Sequence, residues 1–201
     1  MKAPFSWLKD YVDIDITPQE LEEKLFSCGF EVEELYEIGK DISGVVVGYV
    51  EECEPIPETH LHVCKVNVGQ GELLQICCGA DNVHAGGKFP VALVGASVYM
   101  TAKDHKTVEG VMKIKKGKLR GVASNGMLCS IAELGLTTHD MPGAIEDGIL
   151  ILNHVGLEDA EIGADIRDVL MLKDTVVEFE ITSNRPDCLS MIGLARESAV
   201  S

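Results

Sequence analysis

Between positions 103 and 120 the chain gathers seven basic residues, Lys103, Lys106, Lys113, Lys115, Lys116, Lys118 and Arg120, against two acidic ones, Asp104 and Glu109. Side chains of that kind at that density attract phosphate, because each phosphate they neutralise releases a condensed counterion. The window is net +5, seven positive against two negative, in a chain of formal charge −16. That overall balance argues against a protein that grips nucleic acid over its whole surface and confines phosphate chemistry to this window. The competing reading is a solvated hairpin whose lysines discourage edge-to-edge strand pairing. Other reactive residue types are present without a matching pattern. Cys53, His60, His62 and Cys64 lie close together, but their spacing fits none of the paired zinc knuckles, so surface histidines are expected. Cys129 stands beside Ser130 with no recognisable histidine partner, and a buried, inert thiol is expected there. The phosphate loop Gly-x-x-x-x-Gly-Lys-Ser/Thr does not occur, so an ATP site is not expected in this stretch.

The elements that must position these groups fall into three segments: 1–40, 41–153 and 154–201. In the first, Thr17, Pro18 and Glu20 have the order of an N-cap, a first-turn proline and the partner of a capping box, and Gly29 stands just past the end. Leu21, Leu25 and Cys28 form the buried stripe of that helix. The middle segment changes to short apolar runs separated by glycine: 44–50, 61–68, 73–78, 89–94, 112–117 and 148–152. Many short strands with such turns predict a closed or partly closed barrel, most economically a five-stranded oligonucleotide-binding (OB) fold. The third segment holds Val177, Phe179 and Ile181 in strand alternation, the punctuation Ser183-Asn184-Arg185-Pro186, and a helix whose Leu189, Ile192, Arg196 and Ala199 recur at helical spacing. Arg185 and Asp187 are expected to fix that strand-to-helix corner through a paired charge or cap. The fold class expected is α+β, an α+β domain interrupted by an inserted OB-fold barrel.

Seven scattered cysteines give no disulfide framework, and a reducing cytoplasm fits them best. No apolar run approaches the roughly 18 residues of a membrane span. The chain stops at Ala199-Val200-Ser201 inside an apolar helical pattern, which is expected of a piece of a larger protein.

The string Phe179-Glu-Ile-Thr-Ser-Asn-Arg-Pro-Asp-Cys-Leu-Ser190, followed by Gly193-Leu-Ala-Arg-Glu197, closely resembles a signature of bacterial phenylalanyl-tRNA synthetase β subunits. Ser6-Trp7-Leu8-Lys9-Asp10-Tyr11-Val12 and Gly29-Phe30-Glu31-Val32-Glu33 resemble that family's opening. Ile76 to Val83 with Phe89 to Ala96, and more specifically Gly121 to Ser130 with Glu133-Leu134-Gly135-Leu136, resemble the tRNA-binding domain of several synthetases and stand-alone tRNA-binding proteins. One departure is the string Pro55-Ile56-Pro57-Glu58-Thr59-His60-Leu61, shorter than that family's and without its lysine and aspartate.

The resemblance implies that segments one and three form one domain around the barrel. It implies a part in ATP-dependent, magnesium-assisted attachment of phenylalanine to its tRNA by two α and two β chains. It places aminoacylation chiefly in the α subunit, and editing and the magnesium ligands later in the β chain. No catalytic, metal or cofactor site is expected here; ATP and magnesium belong to the full enzyme. Family carry-over nominates Asn82, Ser124, Met127, Ser130 and Glu133 for tRNA, and charge adds Lys113, Lys115, Lys116, Lys118 and Arg120. Short hydroxyls and amides can hydrogen-bond RNA, and Met127 can lie against a sugar or base; the same groups can equally cap a structured turn. With Tyr49, Phe89 and Tyr99 as the barrel's aromatics, RNA shape and backbone are expected to matter more than base stacking. Two alternatives stand beside this reading: a stand-alone tRNA-binding or chaperone-like protein, and a barrel serving as a spacer or protein-interaction surface.

Overall fold

A computed structural model describes residues 1–102 and 107–201, so Lys103, Asp104 and Lys106 of the basic window lie outside the described residues. In chain order the elements are β1 (Lys2–Pro4), α1 (Phe5–Lys9), α2 (Pro18–Ser27), β2 (Glu31–Glu37), β3 (Ser43–Pro55), β4 (His62–Asn67), β5 (Leu74–Cys78) and β6 (Lys88–Thr101). There follow β7 (Val108–Lys113), β8 (Gly117–Leu119), β9 (Val122–Ser124), β10 (Met127–Leu128), α3 (Ile166–Val169), β11 (Thr175–Glu180) and α4 (Met191–Val200). Single 3-10 turns occupy Ala132–Leu134, Leu152–Val155 and Pro186–Cys188. Among the described residues no helix is long and apolar enough to cross a membrane.

The chain divides into two units, Met1–Ile38 with Lys173–Ser201, and Gly39–Leu172. In the first unit β11 runs antiparallel between β1 and β2, so the two ends of the chain meet in one sheet. Ala3, Leu8, Leu21, Leu25 and Phe30 from the start of the chain share a core with Val177, Phe179, Cys188 and Leu194 from its end. The α2 helix begins where the local code places it: Thr17 Oγ1 accepts from Glu20 N–H at 3.2 Å, and Glu20 Oε2 accepts from Thr17 N–H at 2.8 Å. Each bond satisfies an N–H that the helix start would leave orphaned.

The second unit is built on β6, fourteen residues long. Its first part pairs with β3 and β10, and its last part with β7. Gly95, at φ +96, lies where the ladder changes partner, and its N–H donates to Ile114 O at 2.8 Å. A residue there must take the left-handed region, which glycine does without a Cβ penalty.

The expected barrel is not what forms. The sheet is open, in the order β10-β6-β3-β4-β5 with β7 on β6, and among the described residues no sheet closes on itself. A closed barrel needs a ladder to return from the last strand to the first. Here β10 is two residues long, and the outer edge of β5 is met instead by side chains and a turn. Ser124 Oγ accepts from Cys77 N–H at 3.0 Å, Gln75 Nε2 donates to Ala123 O at 2.9 Å, and Asn125 N–H donates to Gln75 O at 2.9 Å. The run 148–152 is not a strand either; Ile149 and Leu150 are buried by loop hydrogen bonds. Residues 154–172 stay with this unit, where Val47 N–H donates to Ala164 O and Gly163 N–H to Val47 O.

Candidate nucleic-acid interface

A cavity of about 570 Å³ opens in the second unit between the end of β5, β10 and two loops. Cys77, Cys78, Met127, Leu128 and Ile149 give it an apolar floor, and Asp81, Glu133 and Asp147 bring carboxylates to its walls, with His60 at the edge. A concave, partly apolar site with a few convergent polar groups is the usual form of a ligand pocket.

Each nominated residue has a definite place. Met127 is half-buried in the cavity lining. It is aimed by Gly126, whose φ of +147 and whose closeness to Ala92 O, 2.8 Å from a would-be Cβ, admit no side chain. Ser124 is buried, 6% exposed, and its hydroxyl is used within the chain: it accepts from Cys77 and donates to Gly126 O at 3.0 Å. Ser130 and Glu133 line the cavity as a reciprocal cap on the 3-10 turn. Ser130 N–H donates to Glu133 Oε2 at 2.6 Å, and Glu133 N–H to Ser130 Oγ at 3.3 Å. Asn82 stands just behind the wall. Its Oδ1 accepts from Ile149 N–H at 3.1 Å and its Nδ2 donates to Ile149 O at 2.7 Å, so it staples the 147–149 loop to the rim. Gly148, at φ +136, has Asn82 Oδ1 2.6 Å from a would-be Cβ, which makes this approach specific to glycine.

The five basic residues form a separate group. Lys113 ends β7, Lys115 and Lys116 lie in the connection, Lys118 is the middle of β8, and Arg120 is at the hairpin tip; all are exposed. Leu119 pairs with Val122, leaving Arg120 and Gly121 as a two-residue loop with φ of 51° and 87°. Two positive φ values give the twist that suits a tight hairpin, and a non-glycine residue accepts that conformation only when the flanking strands hold it. Since β9 docks on β5 through Gln75 and Ser124, the basic hairpin adjoins the cavity. Sequence reasoning passed over Asp81 and Asp147 as wall residues. Asp81 stands in the Gly79-Ala80-Asp81-Asn82 string, but nothing local marks Asp147, which reaches the rim through the Asn82 staple.

The Cys129 and Cys64 thiols are not poised for nucleophilic chemistry. Complete burial, with the nearby Glu133 charge, drives the Cys129 thiol well above its ordinary range, and burial with the neighbouring Cys53 raises Cys64. Cys53 and Cys64 bring their sulfurs to 3.8 Å across β3 and β4, without His60 and His62 joining them in a group of three ligand atoms. Among the described residues such a group exists at Asp187, Cys188 and Glu197, and a guanidinium already fills it. Arg185 Nη2 lies 3.0 Å from Asp187 Oδ2, 2.6 Å from Glu197 Oε1 and 3.1 Å from Cys188 Sγ. The Arg185 partner holds the Asp187 carboxyl down to about 2.

Residues 45–148, which include the basic hairpin and all of the cavity floor except Ile149, match the sequence model of a family described as "Putative tRNA binding domain". The chain belongs to this tRNA-binding-domain family. It is also homologous over its whole length to bacterial phenylalanine–tRNA ligase β subunits. It is 47% identical to that of Clostridium tetani over 202 residues, 100% of this chain, and 47% identical to that of Streptococcus pneumoniae over 199 residues, 99% of this chain. It spans 23% of the length of either relative. Among solved structures, a MetRS related protein from Pyrococcus horikoshii aligns at 18% identity and a TM-score of 0.37, over 75% of this chain and 97% of that one; a likeness of that degree supports no conclusion.

Proposed function

We propose that this chain is a tRNA-binding and assembly module of a phenylalanine–tRNA ligase β subunit. The observation that carries the reading is the match of the tRNA-binding family over residues 45–148 to the part of the fold that presents an exposed basic hairpin beside a cavity. Lys113, Lys115, Lys116, Lys118 and Arg120 take the phosphates of the tRNA, and Met127 gives a soft apolar contact. Asn82, Ser124, Ser130 and Glu133 act by holding the cavity wall, since their hydrogen bonds are made within the chain.

In the whole protein the reading extends to phenylalanylation of tRNA with ATP and magnesium, by two α and two β chains in the cytoplasm. The residues here do not fit a magnesium–ATP site: the acidic group at Asp187 and Glu197 holds Arg185, and the glycine-rich phosphate loop is absent from the sequence. No catalytic step is therefore assigned to this chain, and it is expected to be inactive in aminoacylation by itself.

The charge of −16 favours one other reading, a domain that serves as a spacer or protein-interaction surface. Titration of the 201-residue chain with phenylalanine-specific tRNA at low and moderate salt separates the two. Binding at low salt that weakens with added salt is expected; absence of binding at low salt would favour the spacer.

A further inference from the structure

The cavity and the hairpin beside it are electrostatic opposites. The hairpin presents cations, whereas the cavity presents the carboxylates of Asp81, Glu133 and Asp147. A phosphate drawn to the lysines is repelled from the cavity, so the two cannot read the same chemical group. Ionised carboxylates only accept hydrogen bonds, and a complementary ligand must therefore bring N–H donors. The floor of Met127, Leu128 and Ile149 calls for a flat apolar face above it. A nucleotide has both parts on one molecule, an anionic phosphate and a planar base with N–H groups on its edge.

We propose that the cavity receives an unpaired base of the bound RNA, guanine in preference to the others, while the flanking phosphates lie on the basic stretch from Lys113 to Arg120. This deepens the tRNA reading and rests on it. Guanine sets N1–H and the N2 amine side by side, so a single carboxylate of Asp81 or Asp147 can accept both. Uracil offers one N–H between two carbonyl acceptors, and adenine and cytosine each place a ring acceptor beside their amine; a carboxylate repels those acceptors. An unpaired base exposes this edge, which a base in a helix keeps covered. The staple from Asn82 to Ile149 and the forced glycine at 148 hold Asp147 at the rim before any ligand arrives, which reduces the ordering cost of binding.

The test uses the 201-residue chain and its Asp81→Asn/Asp147→Asn variant. Both are titrated by NMR with guanosine, inosine and uridine 5′-monophosphates, and thermal melts check that the variant is folded. Guanosine monophosphate is expected to bind roughly tenfold more tightly than uridine monophosphate, with inosine, which lacks the N2 amine, falling towards uridine. The variant is expected to lose that preference. Equal binding of the three nucleotides, or a preference that survives in the variant, would overturn the proposal. So would an arginine-rich peptide that occupies the cavity and is not displaced by guanosine monophosphate, since that assigns the site to a protein partner. A tRNA titration alongside keeps the two readings apart: tRNA binding with an unselective cavity overturns only the base pocket, and no tRNA binding overturns the reading beneath it.

Discussion

Arg185 shows how one side chain can close off a chemistry its neighbours would otherwise permit. Asp187, Cys188 and Glu197 converge closely enough for a cation, and the guanidinium supplies it while lying 5.1 Å above the Phe30 ring. The lowered carboxyl has a defined consequence for stability. Asp187 falls from 3.8 to about 2 in the folded chain, so its contribution is fully present above about pH 4 and is lost as pH drops through the lower value. Arg185→Gln is expected to return the Asp187 carboxyl to the ordinary range, lower the melting midpoint at neutral pH, and remove this part of the acid sensitivity. Carbon NMR of the Asp187 carboxyl checks it; an unchanged titration would show that the pair does not set the value. The paired charge was legible in the sequence because both members sit within one corner, two residues apart. Glu197, the second acid, was not, because α4 brings it back from ten residues further on.

At the scale of elements, local codes were readable and long-range ones were not. The α2 capping box is written in four consecutive residues, and those residues form it. By contrast, Gly95 reads as a strand terminator, yet β6 continues through it to Thr101, still pairing with β3 at Ser97 while β7 follows β10 along its other edge. The strand expected at 112–117 runs instead from Val108 to Lys113, and the sheet is open where a barrel was expected. The strand expected at 148–152 fails for a related reason: its apolar residues are buried by the Asn82 side chain and by Leu150 N–H donating to Cys129 O, rather than by a ladder. Asn82→Ala, which removes both bonds to Ile149, is expected to cost about 1–3 kcal/mol. It should also speed amide exchange at Ile149 and Leu150. Urea unfolding with hydrogen exchange reads both effects, and unchanged protection at Ile149 would mean that the staple does not hold the wall.

At the scale of the whole molecule, a chain of charge −16 approaches tRNA against its own field, and the account depends on the basic hairpin to offset that locally. The separation of cation-rich hairpin and acidic cavity also explains why the nominated residues divide as they do. Those chosen by charge face solvent, and most of those chosen by resemblance support a wall. The most direct measurement is the salt dependence of tRNA affinity for the native chain and for Lys115→Gln/Lys116→Gln/Lys118→Gln. The native chain should bind at low salt, and the variant should bind more weakly, with the slope of log affinity against log salt reduced by roughly one per lysine. A variant whose affinity and slope match those of the native chain would contradict the account.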